Sequence, residues 1–387
     1  MKERVLSITA AISRVLVGVV FIFSGFVKAV DPLGSTYKFI DYFNAFGMPS
    51  LEVTAFPLAI LLSALELTIG VCLILFIQSR WASWGALFFM IFFTPLTLWL
   101  AITNPVHDCG CFGDALVLTN WQTFYKNILI LLLAAILFVF KSKYRAWLNA
   151  KGEWAITAVI LLLIVSFSWY NYEHLPIIDF RPYKVGVSIP EKMAIPEGAP
   201  ADIYEQYFTL VDTVSGKKVE LESNVYMSDS TYWKNGTIWK FISSSEPKLV
   251  KRGYQPEIHD FRISTSMGED ITSDVLSDTR YYFILVAYDL KKTNPDHLPL
   301  IKSIHNQAIK NGYQFMCLTA SSESVVEKYK QQWQIPYQFY YADPITLKTI
   351  IRANPGLLIL HKGKIVAKWH HNDIPDYNTI NANFLKL

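Results

Sequence analysis

Charge is scarce in this chain and unevenly spread. Only 17% of its 387 residues are Asp, Glu, Lys or Arg, and the formal net charge is +3. No basic patch with interleaved aromatics occurs, so nothing recommends a nucleic-acid partner. Cysteine is scarcer: four residues, Cys72, Cys109, Cys111 and Cys317. A complete thiol relay inside one chain is thereby excluded, because Cys72 lies deep in an apolar run, far from Cys109, and Cys317 stands alone. Lys and Arg are missing altogether from residues 103–122, the segment that holds Asp108-Cys-Gly-Cys-Phe-Gly-Asp114.

What is abundant is apolar sequence, 52% of the chain, concentrated before residue 172. Five runs reach the ~20 residues a bilayer crossing needs: 7–29, 54–77, 82–102, 123–140 and 154–169. Trp81, Trp121, Trp154, Trp169 and Tyr170 stand at their ends, as interfacial aromatics do. The first run reads as a retained span, since it is longer than a signal-peptide core and no small-residue cleavage pattern follows. Lys2, Arg4, Arg80, Lys141, Lys143, Arg145 and Lys151 gather on one side. The positive-inside rule therefore predicts a cytoplasmic N-terminus in a bacterial inner membrane. Five spans then put the cysteine loop and the C-terminal half in the periplasm, where disulfides persist.

Ionisable groups inside spans are costly and need partners. Counting ~1.5 Å per residue, Arg14 sits about 22 Å below residue 29 and Glu66 about 18 Å below residue 54. Matched depth predicts an Arg14–Glu66 pair, either a structural clamp or a proton- or quinone-linked site. Pro95 should kink the third span, with Thr94 and Thr97 satisfying freed carbonyls. At the loop end, Lys28 and Lys126 are expected beside Cys109 and Cys111, lowering thiol pKa, with Asp108 and Asp114 tuning it further.

The cysteine loop admits three readings: a redox pair, a structural staple, or a metal site of His107, Cys109 and Cys111. Alternate Cα atoms in an extended chain lie roughly 6.6–7.2 Å apart, near the usual limit of about 6.8 Å for a disulfide. The loop must therefore bend at Gly110. A Cys109–Cys111 bond is expected, strained and easily reduced. Its tiny loop adds little through chain entropy.

The run Phe-Ser-Gly-Phe-Val-Lys-Ala-Val-Asp-Pro at 23–32 resembles the first-helix signature of the DoxX family, and Glu66-Leu-Thr-Ile-Gly70 is similar to its second-helix pattern. Phe93-Thr-Pro-Leu-Thr97, Cys109-Gly-Cys-Phe-Gly113 and Thr123-Phe-Tyr-Lys-Asn127 resemble the MauE branch. The resemblance covers residues 7 to about 140. It implies a four-helix membrane domain over 1–150, with 151–172 as a fifth helix, and an accessory role in disulfide formation of a periplasmic partner.

Residues 173–256 read as a proline-rich linker and a β-rich segment, with a hairpin about Ser215-Gly216. From 257 to 387, strands alternate with helices and end in a hairpin about Lys362-Gly363. The order predicts a mixed sheet with helices on its faces. This part resembles the thioredoxin fold in its redoxin-like form. The resemblance implies a cis peptide bond at Asn354-Pro355 and a peptide-docking surface beside it. It departs from the family at 289–296, Asp-Leu-Lys-Lys-Thr-Asn-Pro-Asp, where the catalytic Cys-x-x-Cys is missing.

The whole is thus expected to be an α-helical transmembrane bundle followed by a β-rich segment and an α/β thioredoxin-like periplasmic domain. Its function is expected to be that of an accessory protein for periplasmic thiol–disulfide chemistry. The alternatives are a non-catalytic scaffold of an envelope complex and copper or zinc handling. Its partners would be the bilayer and other envelope proteins, met through the thioredoxin-like domain. No cofactor is certain, and a quinone is possible. Quinone enters through similarity to fused vitamin K epoxide reductase proteins, which pass electrons from dithiol pairs to quinone.

Overall fold

The computed structural model describes residues 2–106, 108–140 and 148–385. His107, Lys141, Lys143 and Arg145, used above for the metal and orientation expectations, lie outside them. Six helices open the chain: α1 Lys2–Val30, α2 Pro32–Ala45, α3 Glu52–Leu75, α4 Ser79–Thr103, α5 Asn120–Phe140 and α6 Ala150–Glu173. Among the described residues, all but α2 are long and apolar enough to cross a membrane. The sequence reading missed α2, although its start signal is plain. Asp31 caps it by accepting from Gly34 N at 2.8 Å, and Pro32 takes the first helical position.

Small residues set the packing of α1 on α3. A Cβ on Gly25 would stand 2.5 Å from Leu67 N, and one on Gly70 would stand 2.7 Å from Ile22 N and 2.8 Å from Gly18 O. Such close approach of backbones is how helices associate where lipid offers no hydrophobic drive. The register is therefore Gly25 beside Leu67, Ile22 beside Gly70 and Gly18 beside Ile74. It overturns the expected Arg14–Glu66 pair. The first turns of α3 run past the end of α1 alongside α2, so residues 29 and 54 are not level. Arg14 falls near Phe76, with its guanidinium 3.2 Å from the ring centroid. Glu66 falls near Lys28 instead. In α4, Thr97 Oγ1 donates to the carbonyls of Phe93 and Thr94 at 2.9 and 3.0 Å beside Pro95. The Thr94 hydroxyl, expected to share that task, has no hydrogen-bond partner among the described residues.

Residues 188–260 form a separate compact body. It holds α7 Ile189–Met193, β1 Ile203–Glu205, β2 Tyr207–Asp212, β3 Lys218–Glu222, α8 Ser223–Ser228, β4 Trp239–Ser244 and β5 Lys248–Lys251. Its antiparallel sheet has the order β3-β2-β4, and β1 pairs with β5. The hairpin about Gly216 is present, with Val211 opposite Lys218.

The remaining elements are α9 Thr272–Ser277, β6 Tyr281–Val286, α10 Leu298–Lys310, β7 Gln314–Thr319, α11 Glu323–Trp333, β8 Gln338–Tyr341, α12 Pro344–Ile350, β9 Gly356–His361, β10 Lys364–His370 and α13 Tyr377–Phe384. They build a five-stranded sheet of order β10-β9-β6-β7-β8. Strands β6, β7 and β8 are parallel, and β9 is antiparallel to β6 and β10. This is the mixed sheet expected of a thioredoxin-like domain. Its centre is apolar on both faces because helices cover both. Phe283, Leu285, Cys317 and Ile359 are buried on one face with Ile304 of α10, and Ile284, Met316 and Leu358 on the other. Residues 174–187, expected as linker, belong with this sheet and the bundle. Lys368 explains why, since its Nζ donates to Asp179 Oδ2 at 2.6 Å and to the carbonyls of Tyr183 and Ile350.

Gly70→Leu tests the register. The side chain has no room against Ile22 and Gly18, and overpacking of this kind costs about 1–3 kcal/mol. Folded yield and thermal midpoint in detergent should both fall; an unchanged midpoint would show that α1 and α3 do not pack here.

Candidate functional site

The end of the bundle that carries the cysteine loop is organised by one ammonium group. Ser24 and Lys28 lie one turn apart on α1, on a common face. Lys28 Nζ donates to Ser24 Oγ at 2.6 Å, to Glu66 Oε2 at 2.7 Å and to the Cys111 carbonyl at 2.8 Å. All three of its donors are used. Lys28 is 8% exposed, so burial without these acceptors would be prohibitive. Ser24 Oγ also lies 3.0 Å from Glu66 Oε2 and 2.9 Å from the Cys111 carbonyl.

The loop itself is a tight turn. Gly110 has φ +64°, the left-handed conformation that glycine adopts without penalty, so the bend falls where the sequence placed it. Asp108 Oδ1 accepts from Gly110 N at 2.8 Å, while its Oδ2 takes Lys38 Nζ at 2.8 Å. The Tyr42 hydroxyl donates to the Cys109 carbonyl. Helix α2 thus supplies two of the loop's anchors, and a Cβ on Gly110 would meet Lys38 Cγ at 2.8 Å.

Both cysteine side chains come to the same side of this turn. Their sulfurs are in direct contact, 2.9 Å apart. Hydrogen bonds to the flanking carbonyls hold the turn without a covalent link. The two thiols are not equivalent. Cys109 is buried and Cys111 half-buried. Contact with the Cys109 thiol lowers the Cys111 pKa first; burial opposes this, and the Lys126 and Lys28 charges add to it, giving about 6. The same contact, with burial, pushes Cys109 well above the ordinary thiol value. One proton shared between two sulfurs is the natural description of such a pair.

Lys126 and Asn127 open α5 beside the loop. Lys126 Nζ lies 4.3 Å over the Phe112 ring, and Asn127 Nδ2 donates to Thr97 Oγ1 at 3.1 Å. Together with Lys28, Glu66 and both cysteines they line one end of a cavity of about 590 Å³. Its other walls are Phe and Leu side chains of α2, α3 and α4.

Asp114 is engaged from the thioredoxin-like domain. Arg352, 5% exposed, holds Asp31 at 2.9 Å and Asp114 at 3.1 Å. Burial works against the Asp31 carboxylate, but Arg352 and Arg181 outweigh it and its pKa falls. At Asp114 burial prevails over Arg352, and the pKa rises. Tyr37 of α2 and Tyr288 add a hydroxyl contact of 3.1 Å. Ser24, Lys38, Tyr42 and Arg352 were missed by sequence reasoning. Ser24 and Lys28 share a helix face, which was a usable signal; Arg352 lies 321 residues from Asp31 and left none.

The Asn354-Pro355 bond is cis. Beside it, Asn354 is bonded to the chain's own 289–294 loop. Asn354 O accepts from Asn294 N at 3.1 Å, Asn354 Nδ2 donates to the Asp289 carbonyl at 2.9 Å, and Thr293 Oγ1 donates to Asn354 Oδ1 at 3.1 Å. Cys317 lies wholly inside β7, and burial pushes its thiol up. Cys72 is buried in α3 with Sγ 3.8 Å from Thr157 Oγ1, about 30 Å along the helix from Glu52 at 1.5 Å per residue. Among the described residues, no cluster of three His, Cys, Asp or Glu could hold a metal ion.

Two outcomes follow. Lys28→Met leaves the largely enclosed Glu66 (side chain 12% exposed) without its cation and should cost about 3 kcal/mol, seen as loss of folded protein on size exclusion. Lys28→Met combined with Glu66→Leu should recover most of it. In the reduced native protein, alkylation of Cys111 should rise with pH about a midpoint near 6, because only the thiolate reacts. Cys109 should stay slow throughout that range; equal rates at the two sulfurs would refute the asymmetry.

The chain has no significant match among curated proteins. A solved structure, a candidate thioredoxin from Neisseria meningitidis determined in solution, is similar at 14% identity, with a TM-score of 0.27, over 32% of this chain and 83% of that one. Residues 6–140, which supply α1 to α5 and every group that touches the two thiols, match the family described as Methylamine utilisation protein MauE.

Proposed function

We propose that this chain is a membrane-anchored accessory protein that exchanges thiols and disulfides with other envelope proteins through Cys109 and Cys111. The observation that carries the reading is the contact of the two sulfurs at 2.9 Å, one of them beside two ammonium groups. A low-pKa, half-buried sulfur backed by a buried one is a nucleophile with a resolving partner. When the pair is oxidised, a partner thiolate attacks the Cys111 sulfur and Cys109 leaves as thiolate, taking up a proton. The second partner thiolate then attacks its own sulfur in the mixed disulfide and releases Cys111. One partner dithiol becomes a disulfide, and the pair carries away two electrons and two protons.

The staple reading has less to support it. Lys28, Tyr42, Lys38 and Arg352 already hold the loop from both sides. A sulfur–sulfur bond across one residue would add little to that. In this proposal the site faces the periplasm from a bacterial inner membrane, following the charge asymmetry of the loops. The thioredoxin-like domain lacks a dithiol, so it serves as a clamp on the loop.

Cys109→Ala removes the thiol that can attack a mixed disulfide on Cys111 and expel the partner, so Cys111 adducts with envelope proteins should accumulate, visible as reducible high-mass species. Cys111→Ala should trap few. An impermeant maleimide should reach a cysteine placed at the exposed Ile345 in spheroplasts. Adduct patterns indistinguishable from those of a Cys109/Cys111 double variant would leave the exchange reading without basis.

A further inference from the structure

We infer that the Cys109–Cys111 pair takes its partner thiols from within the bilayer. Its substrate is a cysteine in an apolar segment of a membrane-embedded protein, which reaches the sulfurs sideways through the cavity beneath the loop. The inference rests on the exchange reading above and names the substrate class for it.

Three observations carry it. The first is depth. The Cys111 carbonyl is held by Ser24 and Lys28, and Lys28 pairs with Glu66. Glu66 lies about 21 Å along α3 from Glu52, and Lys126, whose ammonium faces Phe112, lies about 9 Å into α5 from Asn120, at ~1.5 Å per residue. The cysteine loop therefore folds back into the bundle, below the loop-side ends of α3 and α5. The second is access. Both cysteines line the cavity of about 590 Å³. Leu61 of α3 and Phe88 and Phe92 of α4 belong to the same lining and are 51%, 69% and 60% exposed on membrane-length helices. The cavity thus opens among apolar side chains that face lipid. Elsewhere around the loop, the space that Cys111 shares with Phe112, Leu116, Leu118 and Thr123 admits no water molecule. The third is chemistry. Lys28 has committed all three donors to Ser24, Glu66 and the Cys111 carbonyl, and Asn127 donates to Thr97. These polar groups satisfy one another, so a ligand needs no charge to match them. The remaining walls include Phe39, Phe43, Leu58, Leu62 and Phe93. An apolar body that carries a thiol fits such a site.

The size of the cavity sets the form of the partner. A membrane-spanning helix, about 10–12 Å across and ~30 Å long, is far larger than the cavity. One cysteine with the apolar side chains beside it on a helix face is not. In the exchange step, a sulfur–sulfur bond forms between the partner's cysteine and Cys111, and the Cys109–Cys111 bond breaks. The proton of the partner's thiol ends on Cys109. No net charge is created, which suits a site walled by apolar groups. A second thiol of the partner then displaces Cys111 from the mixed disulfide and completes the transfer.

The test uses the full chain, reduced, in lipid nanodiscs. The probes are synthetic leucine–alanine membrane helices, each with one cysteine activated as a pyridyl disulfide. Attack by Cys111 releases pyridinethione, which is read by absorbance. In one probe the cysteine lies in the outer turns of the apolar stretch; in the other it lies on a polar extension in water. The embedded cysteine should react faster by about tenfold or more. Leu61→Trp narrows the opening and Leu62→Trp fills the cavity. Each should lower the rate with the embedded probe, relative to that with glutathione disulfide, by about tenfold or more. Thermal midpoints report the fold, and the exposed Leu61 position keeps the test open if the inner variant does not fold. Equal rates for the two helices, a faster reaction in water, or an unchanged ratio in both variants overturns bilayer entry and leaves the exchange reading standing. Reaction with didodecyl disulfide but with neither helix identifies a site for small lipophiles and also overturns it. Failure to react with any of these disulfides removes the exchange reading itself.

Discussion

The grip of the Lys28 ammonium on Glu66, Ser24 and the Cys111 carbonyl is the interaction on which the rest of this end of the molecule depends. It is buried, so its energy is not diluted by water, and each hydrogen of the ammonium has an acceptor. It joins α1 to α3 at one depth and the cysteine loop to both. The close contacts of Gly18, Gly25 and Gly70 make that depth possible, because side chains at those positions would separate the two helices. Packing therefore comes first, and the ion pair is its consequence.

The loop is held from two directions by charges of opposite origin. From the bundle, Lys38 and Lys28 reach it; from the thioredoxin-like domain, Arg352 reaches Asp114 and Asp31. The sheet domain has no cysteine in its 289–294 loop, and that loop is bonded to Asn354 beside Pro355. What it retains is a rigid sheet that presents Arg352 and Tyr288 to α2 and the loop. A neighbouring domain can shape a site by fixing the backbone that carries it.

Asymmetry between the thiols follows from that backbone. The turn at Gly110 brings both sulfurs to one side; their mutual contact first, and then the Lys126 and Lys28 charges, favour charge on Cys111, while the same contact, with burial, keeps Cys109 neutral. Similar residues one position apart thus acquire different roles through environment alone, which is how pairs of ionisable groups are generally differentiated.

Much of this was legible in the amino-acid sequence. Run length and the bilayer's thickness determined the five long apolar helices. Strand and helix periodicity determined the mixed sheet and its closing hairpin, and glycine's freedom located the bend between Cys109 and Cys111. The sequence could not set the register between α1 and α3, because nothing in either apolar run shows that α3 begins alongside α2, beyond the end of α1. That single offset moved Glu66 from Arg14 to Lys28. Nor could it foresee Arg352 on Asp31 and Asp114, since that contact joins positions hundreds of residues apart and exists only once the sheet has formed. Local pattern is written in neighbouring residues, whereas the depth of one helix against another is decided by which side chains leave room, and only the tertiary structure settles that.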